Sequence, residues 1–347
     1  MRNPTLHDVA RAAGVSYSTA DRVLNERGGV AEKSVLRVRH AIEKLGYRRD
    51  IHAANLSRRR SYAFRFYLPH GDHSFFSILR QTVEQQARQR LADRIAIAIH
   101  EVPALDAEAL ADQLLLIGRQ DCDCVAFVGA DSARLTQAVS RLAGMGIPAI
   151  SLISDAAGDA RAQYVGIDNR VAGRTAGRLI RLAHSRRSGR ILPILGKLGV
   201  RDHRDRLDGA REVLAETPAL QVLAPLEILD RPERMRDSLT AALHADPGVT
   251  GIYSIGAGNR ALIDILGRLA APRPFAVLHE LTPQTRPALE SGLIDAIIDQ
   301  KPAEEIRSAI DAMKAIADRQ TPPATDITPT IYLKDNLPGP AGNGGPA

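Results

Sequence analysis

The sequence predicts an α/β protein with a small N-terminal helix-turn-helix head, a hinge, and a large two-lobed body of doubly wound parallel sheets. Three observations point there. Charge is concentrated at one end: residues 1–60 hold 13 Lys and Arg against 6 Asp and Glu, whereas the other 287 residues hold 33 against 34, within a formal net charge of +6. Three short amphipathic helical patterns occupy that basic stretch. Beyond residue 61, apolar runs of strand length alternate with helical stripes, the rhythm of βαβ units.

A chain of 347 residues with 44% hydrophobic content can bury one large or two modest cores. No apolar run reaches the ~18 residues of a membrane helix, and MRNPTLHDVARAAG has no signal-peptide core, so a soluble cytoplasmic protein with no membrane partner is expected. Cys122 and Cys124 alternate along CDCVAFVG, which puts both thiols on one face of a strand as small buried side chains. No His/Cys set with zinc spacing is present, and neither metal nor cofactor is expected.

In the head, Thr5 precedes LHDVARAAG with Asp8 three places later, an N-cap followed by an acidic first turn. Leu6, Val9, Ala10 and Ala13 form the apolar stripe, and Gly14 ends the helix. Ser16 caps the next helix, on which Ala20, Val23 and Leu24 turn inward while Tyr17, Ser18, Asp21, Arg22 and Asn25 share the opposite face. A third helix in EKSVLRVRHAIEKLGY buries Val35, Val38, Ala41, Ile42 and Leu45 and ends at Gly46. Three small helices with one donor-rich face match the arrangement that places its second helix in the DNA major groove.

The segments TLHDVARAAGVSYSTADRVLN, EKSVLRV, AIEKLGYRRD and HAANLSRRRS resemble the DNA-binding head of the lac-repressor (LacI/GalR) family of bacterial transcription regulators. The match runs through Thr5, Val9, Ala10, Gly14, Val15, Ser16, Arg22, Val23, Leu24, Asn25, Val30, Gly46, Tyr47 and Leu56. The resemblance implies a head over 1–48 and a hinge over 49–61 that folds on DNA. It implies that Tyr17, Ser18 and Arg22 meet base edges, while Thr5, Ser16, Thr19 and Asn25 hold phosphates or the turn. Arg22 has the fork for guanine O6 and N7, a pairing worth ~1–3 kcal/mol of discrimination. Tyr17 stays open to a second reading as a surface tyrosine. Leu56 would be the apolar wedge in the minor groove, and Arg58 to Arg60 supply phosphate contacts or solvation.

Two positions depart from the family. Asp21 stands where a small hydroxyl residue is usual; it either accepts from cytosine N4 or, the preferred reading, orients Arg22 and lowers indiscriminate affinity for the DNA backbone. Ala31 replaces a capping hydroxyl.

In the body, the expected strands are YAFRFYLP, IAIAIHEV, CVAFVG, PAISLIS, QYVGID, RILPILG, VLAPLEIL, TGIYSIG, FAVLHEL and DAIIDQ. Helical patterns include SILRQTVEQQARQRL, AEALADQLLLIGR, ARLTQAVSRLAGMG, RVAGRTAGRLIRLA and ERMRDSLTAALHADP. A break near Asp155 to Ala162 suggests two lobes. The pattern over 62–335 resembles the type I periplasmic sugar-binding fold that the same regulators carry as effector and dimerisation domain, with crossovers between lobes. The tail 336–347 reads as disordered.

Carried over residue by residue, the resemblance places His73, Phe75 and Phe76 after the first strand, against a sugar ring. It adds Asp168 from GIDN; Asp202, Arg204 and Arg206 from RDHRDRLDG, with Arg206 the best match to the family's ligand arginine; His279 and Glu280 from HELT; and Gln300 after Asp299. Asp155 stands in ISD where many sugar binders have an acidic-basic pair, and SIGAGNRAL, with Gly256 and Asn259, replaces an Asn-Asp motif. Arginine forks, carboxylates and amides bridge vicinal hydroxyls, while an aromatic face covers C–H surface.

A competing reading rests on Gly256, Gly258 and Ala261, which fit G-x-G-x-x-A after a strand, with Glu280 about twenty residues on. That would make the protein a dinucleotide-responsive regulator or an NAD-dependent enzyme. At least seven strands precede this fingerprint, which normally opens its domain, so the glycines more readily give backbone room beside an effector. No nucleophile elbow or P-loop appears, and binding rather than turnover is expected. The expected assembly is a homodimer on a double-stranded operator, repressing transcription under control of a sugar or polyol-like effector.

Overall fold

The computed structural model describes residues 4–24, 29–46, 60–71, 73–229 and 231–339. The chain divides into two units, Met1–Ser61 and Tyr62–Ala347. Asn25, Leu56 and the hinge as far as residue 59 lie outside the described residues, as does the tail from residue 340.

In the first unit, helix α1 (Leu6–Ala13) begins with a reciprocal cap: the Asp8 backbone N–H donates to the Thr5 hydroxyl oxygen while the Thr5 N–H and hydroxyl both donate to the Asp8 carboxylate. Gly14, left-handed at φ 61°, turns the chain into α2 (Tyr17–Leu24). α3 (Glu32–Leu45) follows, and its N-cap Ala31 makes no side-chain bond to the helix. Val9, Ala10, Ala13, Ala20, Val38 and Ala41 form the buried centre; Val23, Leu24, Val35, Ile42 and Leu45, expected inward, are half-buried around it.

The second unit is two doubly wound lobes. The first sheet contains β1 (Tyr62–His70), β2 (Ile95–Pro103), β3 (Cys124–Val128), β4 (Ala149–Leu152) and β5 (Gln163–Val165), all parallel, in the order β2-β1-β3-β4-β5. α4 (Ser74–Arg90) covers one face with Leu79 and Val83; α5 (Ala107–Leu115) and α6 (Ala133–Gly144) cover the other with Leu110, Leu114, Leu135 and Leu142.

The second sheet contains β6 (Gly189–Leu195), β7 (Leu220–Val222), β8 (Leu226–Glu227), β9 (Val249–Ser254), β10 (Phe275–His279), β11 (Ala296–Asp299) and β12 (Thr330–Tyr332). Its order is β12-β11-β10-β9-β6-β7, with β8 beside β6. α7 (Asn169–Ala183) and α8 (Arg201–Ala215) pack on one face. α9 (Pro232–Ala245), α10 (Asn259–Leu266) and α11 (Thr285–Glu290) pack on the other. The chain then returns to the first lobe, where α12 (Pro302–Ala317) lies beside α4 with Ile306, Ile310 and Met313 in that core.

Several expectations are corrected. The break at 155–162 is not the lobe boundary, because β5 still pairs with β4 and the crossover comes after it, at residues 166–168. VLAPLEIL is two short strands rather than one. β12, which the pattern missed, is antiparallel to β11. Asn336 and Leu337, assigned to the tail, belong to the body: the Asn336 amide bonds the Leu333 N–H at 2.6 Å and Leu337 packs on the second core. The two thiols are free and buried, yet on opposite faces, because the strand starts only at Cys124 and alternation does not reach back to Cys122.

Candidate functional site

On the head, α2 keeps Ser18 and Arg22 exposed, leaves Tyr17 46% exposed and half-buries Asp21. The Tyr17 ring leans on His7, centroids 4.4 Å apart. The Ser16 hydroxyl accepts from the Thr19 N–H at 3.1 Å and shares hydrogen bonds with the Ser18 and Thr19 hydroxyls, so it holds the start of α2. Thr5 likewise holds the turn through Asp8.

The cleft lies between the lobes of the body, at the carboxyl ends of the strands, where doubly wound sheets place their ligands. One wall comes from the first lobe: Phe75 and Phe76 at the start of α4, Pro69, Val128 and Ile153, with His73 ahead of the helix. The other comes from the second lobe: Asp202 and Arg206 on α8, Gly256 after β9, Glu280 after β10 and Gln300 after β11. The wall of α8 is pressed into place by α7, since a Cβ on Gly173 would fall 1.9 Å from the Arg206 carbonyl oxygen and one on Gly209 would fall 2.2 Å from that of Arg170. Only backbone-to-backbone contact lets the two helices approach this closely.

Arg206 is 2% exposed, and each of its three guanidinium nitrogens is bonded within the protein. Its Nε donates to Asn169 Oδ1 at 2.7 Å, Nη1 to the Ile255 carbonyl at 3.4 Å and Nη2 to Gln300 Oε1 at 3.3 Å, with Glu280 Oε1 3.6 Å from Nη1. Gln300 Nε2 donates to that same Glu280 oxygen at 2.8 Å. Burial pushes the Glu280 carboxyl up to about 8, against the pull of Arg206 and with the help of Asp299 and Asp202. Asp202 Oδ1, Glu280 Oε2 and His73 Nδ1 have no hydrogen-bond partner. Ile153 and Glu280, both on the cavity wall, hold positive φ (64° and 75°), a strain of about 1–3 kcal/mol each that is retained where the surroundings lock the backbone. Tyr164 Oη and Asn169 Nδ2 both donate to the Ile153 carbonyl, and the Glu280 N–H donates to Ile298.

Further contacts cross from lobe to lobe. His73 Nε2 donates to the Gly256 carbonyl at 2.8 Å, and the Asp202 N–H reaches Ser154 Oγ at 3.4 Å. Arg204 meets Asp131 at 3.1 Å and Arg201 meets Asp155 at 3.5 Å.

The cleft thus unites His73, Phe75, Phe76, Asp202, Arg206, Gly256, Glu280 and Gln300. It leaves out five residues of the sequence-derived set. Asp168 spends its carboxylate capping α7, on the N–H groups of Arg170 and Val171. Arg204 is an exposed rim residue. Asp155 is bound by Arg161, Ser151 and Arg201; although burial pushes its carboxyl up, the bonds from Arg161 and Ser151 win and hold it below the usual range. Asn259 touches an adjoining recess, but its amide bonds Ser254 and the His279 carbonyl. His279 is buried against Tyr253 Oη at 2.8 Å, and burial, then Arg206, keeps its ring neutral. Sequence reasoning missed Asn169, Ser154, His203 and Glu305. For Asn169 the signal was present in GIDN: the first residue of the pair caps the helix and the second, one position on, turns inward.

The glycine fingerprint has structural work. A Cβ on Gly258, which caps α10 at φ 65°, would fall 2.4 Å from Ile228, and one on Gly256 would fall 3.2 Å from the Arg206 guanidinium. Its acidic residue, Glu280, is inside the cleft network.

A pair of parallel α/β lobes and a three-helix head in one chain is the architecture of a ligand-binding domain joined to a helix-turn-helix unit. The family comparisons agree: residues 64–321 match the periplasmic binding protein domain and residues 5–50 match the bacterial regulatory proteins of the lacI family. The chain thus carries a lacI-family DNA-binding domain together with a periplasmic binding protein domain, and over the larger part of its length it belongs to the latter family. It is 25% identical over 214 residues to the HTH-type transcriptional regulator DegA of Bacillus subtilis, covering 61% of each chain. It is 29% identical over 182 residues to the HTH-type transcriptional regulator reg1 of Streptomyces lividans, covering 52% of this chain and 51% of that one. The matches therefore span between half and two thirds of these relatives. Among solved structures, an ABC transporter solute binding protein of Burkholderia graminis in complex with D-arabinose shares the fold, with a TM-score of 0.73 at 20% identity over 80% of this chain and 96% of that one.

Proposed function

We propose that the protein is a sequence-specific DNA-binding transcriptional repressor, controlled by a sugar or polyol-like effector held between the two lobes. The observation that carries this reading is the outward face of α2, where Tyr17, Ser18 and Arg22 stand on a helix whose other side is packed on α1 and α3. The basic excess of residues 1–60 supplies affinity for phosphates, and Arg22 supplies a guanine-reading fork. The lacI-family DNA-binding domain and the regulator relatives support it.

The protein works as a cytoplasmic homodimer that presents two heads to a near-palindromic operator, with Asn25 on phosphate or turn and paired Leu56 side chains in the minor groove between. It binds and does not turn over its effector. The effector acts by its differential affinity for lobe arrangements that do and do not fit DNA. Among the described residues no helix is long and apolar enough to cross a membrane. Selection of operator fragments from genomic DNA by the full-length protein, followed by binding assays with each sugar and polyol that shifts its melting temperature, tests the proposal. Enrichment of one palindromic site whose affinity changes at least tenfold with a ligand supports it; retention of no fragment at low salt overturns it.

A further inference from the structure

The charge balance of the cleft narrows what can occupy it. Arg206 is the sole Lys or Arg on the cavity wall among the described residues, and its three nitrogens already serve Asn169, the Ile255 carbonyl and Gln300. Three carboxylates face the same space: Asp106, Asp202 and Glu280. Asp106 is spent on the N–H groups that open α5. Asp202 and Glu280, 7% and 3% exposed, each keep one oxygen without a partner. The third unpartnered atom is Nδ1 of His73, whose Nε2 faces a carbonyl oxygen and so carries a hydrogen.

Asp202, and Glu280 once it gives up its proton, ask for donors and for positive charge. A phosphate or carboxylate entering here would meet a single guanidinium whose three nitrogens are each already bonded, and it would approach the acids Asp202 and Glu280. A ligand ammonium brings three N–H donors and one positive charge, while the faces of Phe75 and Phe76 take its C–H surface.

Resting on the effector reading above, we propose that this cleft selects a hydroxylated amine, an amino sugar or amino polyol, with its ammonium between Asp202 and Glu280 and its hydroxyls toward His73 and Gln300. Glu280 is faced by Arg206 and Asp202 from α8, by Asp299 and Gln300 from the end of β11, by Glu305 from α12, and across the cavity by His73. In that surrounding one guanidinium does not neutralise the acids, and Glu280 keeps its proton until about pH 8. Docking of an ammonium supplies the missing charge, so the Glu280 proton leaves to solvent as the ligand binds.

The test uses the full-length protein and two matched sets: D-glucosamine, D-glucose and D-glucose 6-phosphate; and 1-amino-1-deoxy-D-sorbitol, D-sorbitol and D-sorbitol 6-phosphate. Calorimetry at pH 7 in two buffers of different ionisation enthalpy reads affinity and proton release together. At least one amine should bind ~10-fold or more tightly than its neutral counterpart, a preference equal to one pKa unit of coupling, with phosphates inert. Close to one proton should be released per 1-amino-1-deoxy-D-sorbitol, and that release should vanish in Glu280→Gln. Asp202→Asn should erase the amine preference while leaving the melting transition cooperative. A neutral or phosphorylated member that binds as tightly as the amine overturns the amine assignment and leaves the effector cleft standing. Amine preference untouched in both variants overturns it as well. Silence of all six compounds overturns the amine assignment and the sugar-like effector reading together.

Discussion

The head and the body place their polar chemistry in opposite settings. On the head, Arg22, Ser18 and much of Tyr17 stand in water around a small centre of alanine and valine. In the body, Arg206, Glu280, Gln300 and Glu305 are sealed between two lobes. The difference decides what each region senses. Exposed charges are screened within about 8–10 Å at ordinary ionic strength, so contacts made by the head respond to salt. Buried charges are screened little but are pushed off their solution pKa, so the cleft responds to pH and to ligand charge.

The comparison breaks most visibly at Arg206. Arg206→Leu removes the one countercharge to Glu280 and Asp202 and leaves Asn169 and Gln300 with unmet bonds. We expect a loss of ~3–5 kcal/mol in denaturant unfolding of the body, in line with removing one partner of a buried pair; a loss below ~1 kcal/mol would mean that the network is not a unit.

Next comes Glu305, fully buried, with no side-chain hydrogen-bond partner for its carboxyl. Burial first, then Glu280, raises its carboxyl well above the usual 4.5. The folded state therefore binds a proton that the unfolded state releases, so this contribution is complete below about pH 4.5 and is lost as pH climbs through the folded value. Glu280 adds the same sign over 4.5 to about 8. Glu305→Gln should stabilise the protein by ~1–3 kcal/mol at pH 8 and flatten the decline between pH 5 and 8. An unchanged slope would contradict the assignment.

The effects on the head are smaller. Asp21→Ser should raise affinity for random-sequence DNA about two- to tenfold at low salt, as removal of a carboxylate facing phosphates requires; equal affinity across a salt titration would remove Asp21 from the face that meets DNA. Ala31→Ser supplies the cap that α3 lacks and should stabilise the head by ~0.5–1 kcal/mol in melting of the full chain followed by a probe on the head. No gain would mean the α3 start is held by other means.

The sequence shows most of this arrangement and hides part of it for physical reasons. Strands and helices in the body follow from hydrophobic period, and the head follows from Thr5, Gly14 and Ser16, whose chemistry is local. β12 escaped because a three-residue strand of half-buried side chains leaves no periodic mark. Asp168 and Arg204 looked like ligands because strand ends and helix starts attract polar residues for capping and for rim ion pairs too. Glu305 was illegible: an acid in a helix first turn reads as solvated charge, and only tertiary packing buries it.

The most direct test of the account is operator affinity of the full-length protein, measured by fluorescence anisotropy from 50 to 200 mM salt (about a fourfold range in which phosphate contacts are known to dominate), at pH 6 and pH 8. The account predicts a steep linear fall of log affinity with log salt that has the same slope at both pH values and disappears when residues 1–60 are deleted. A flat salt profile, or one that survives the deletion, would contradict it.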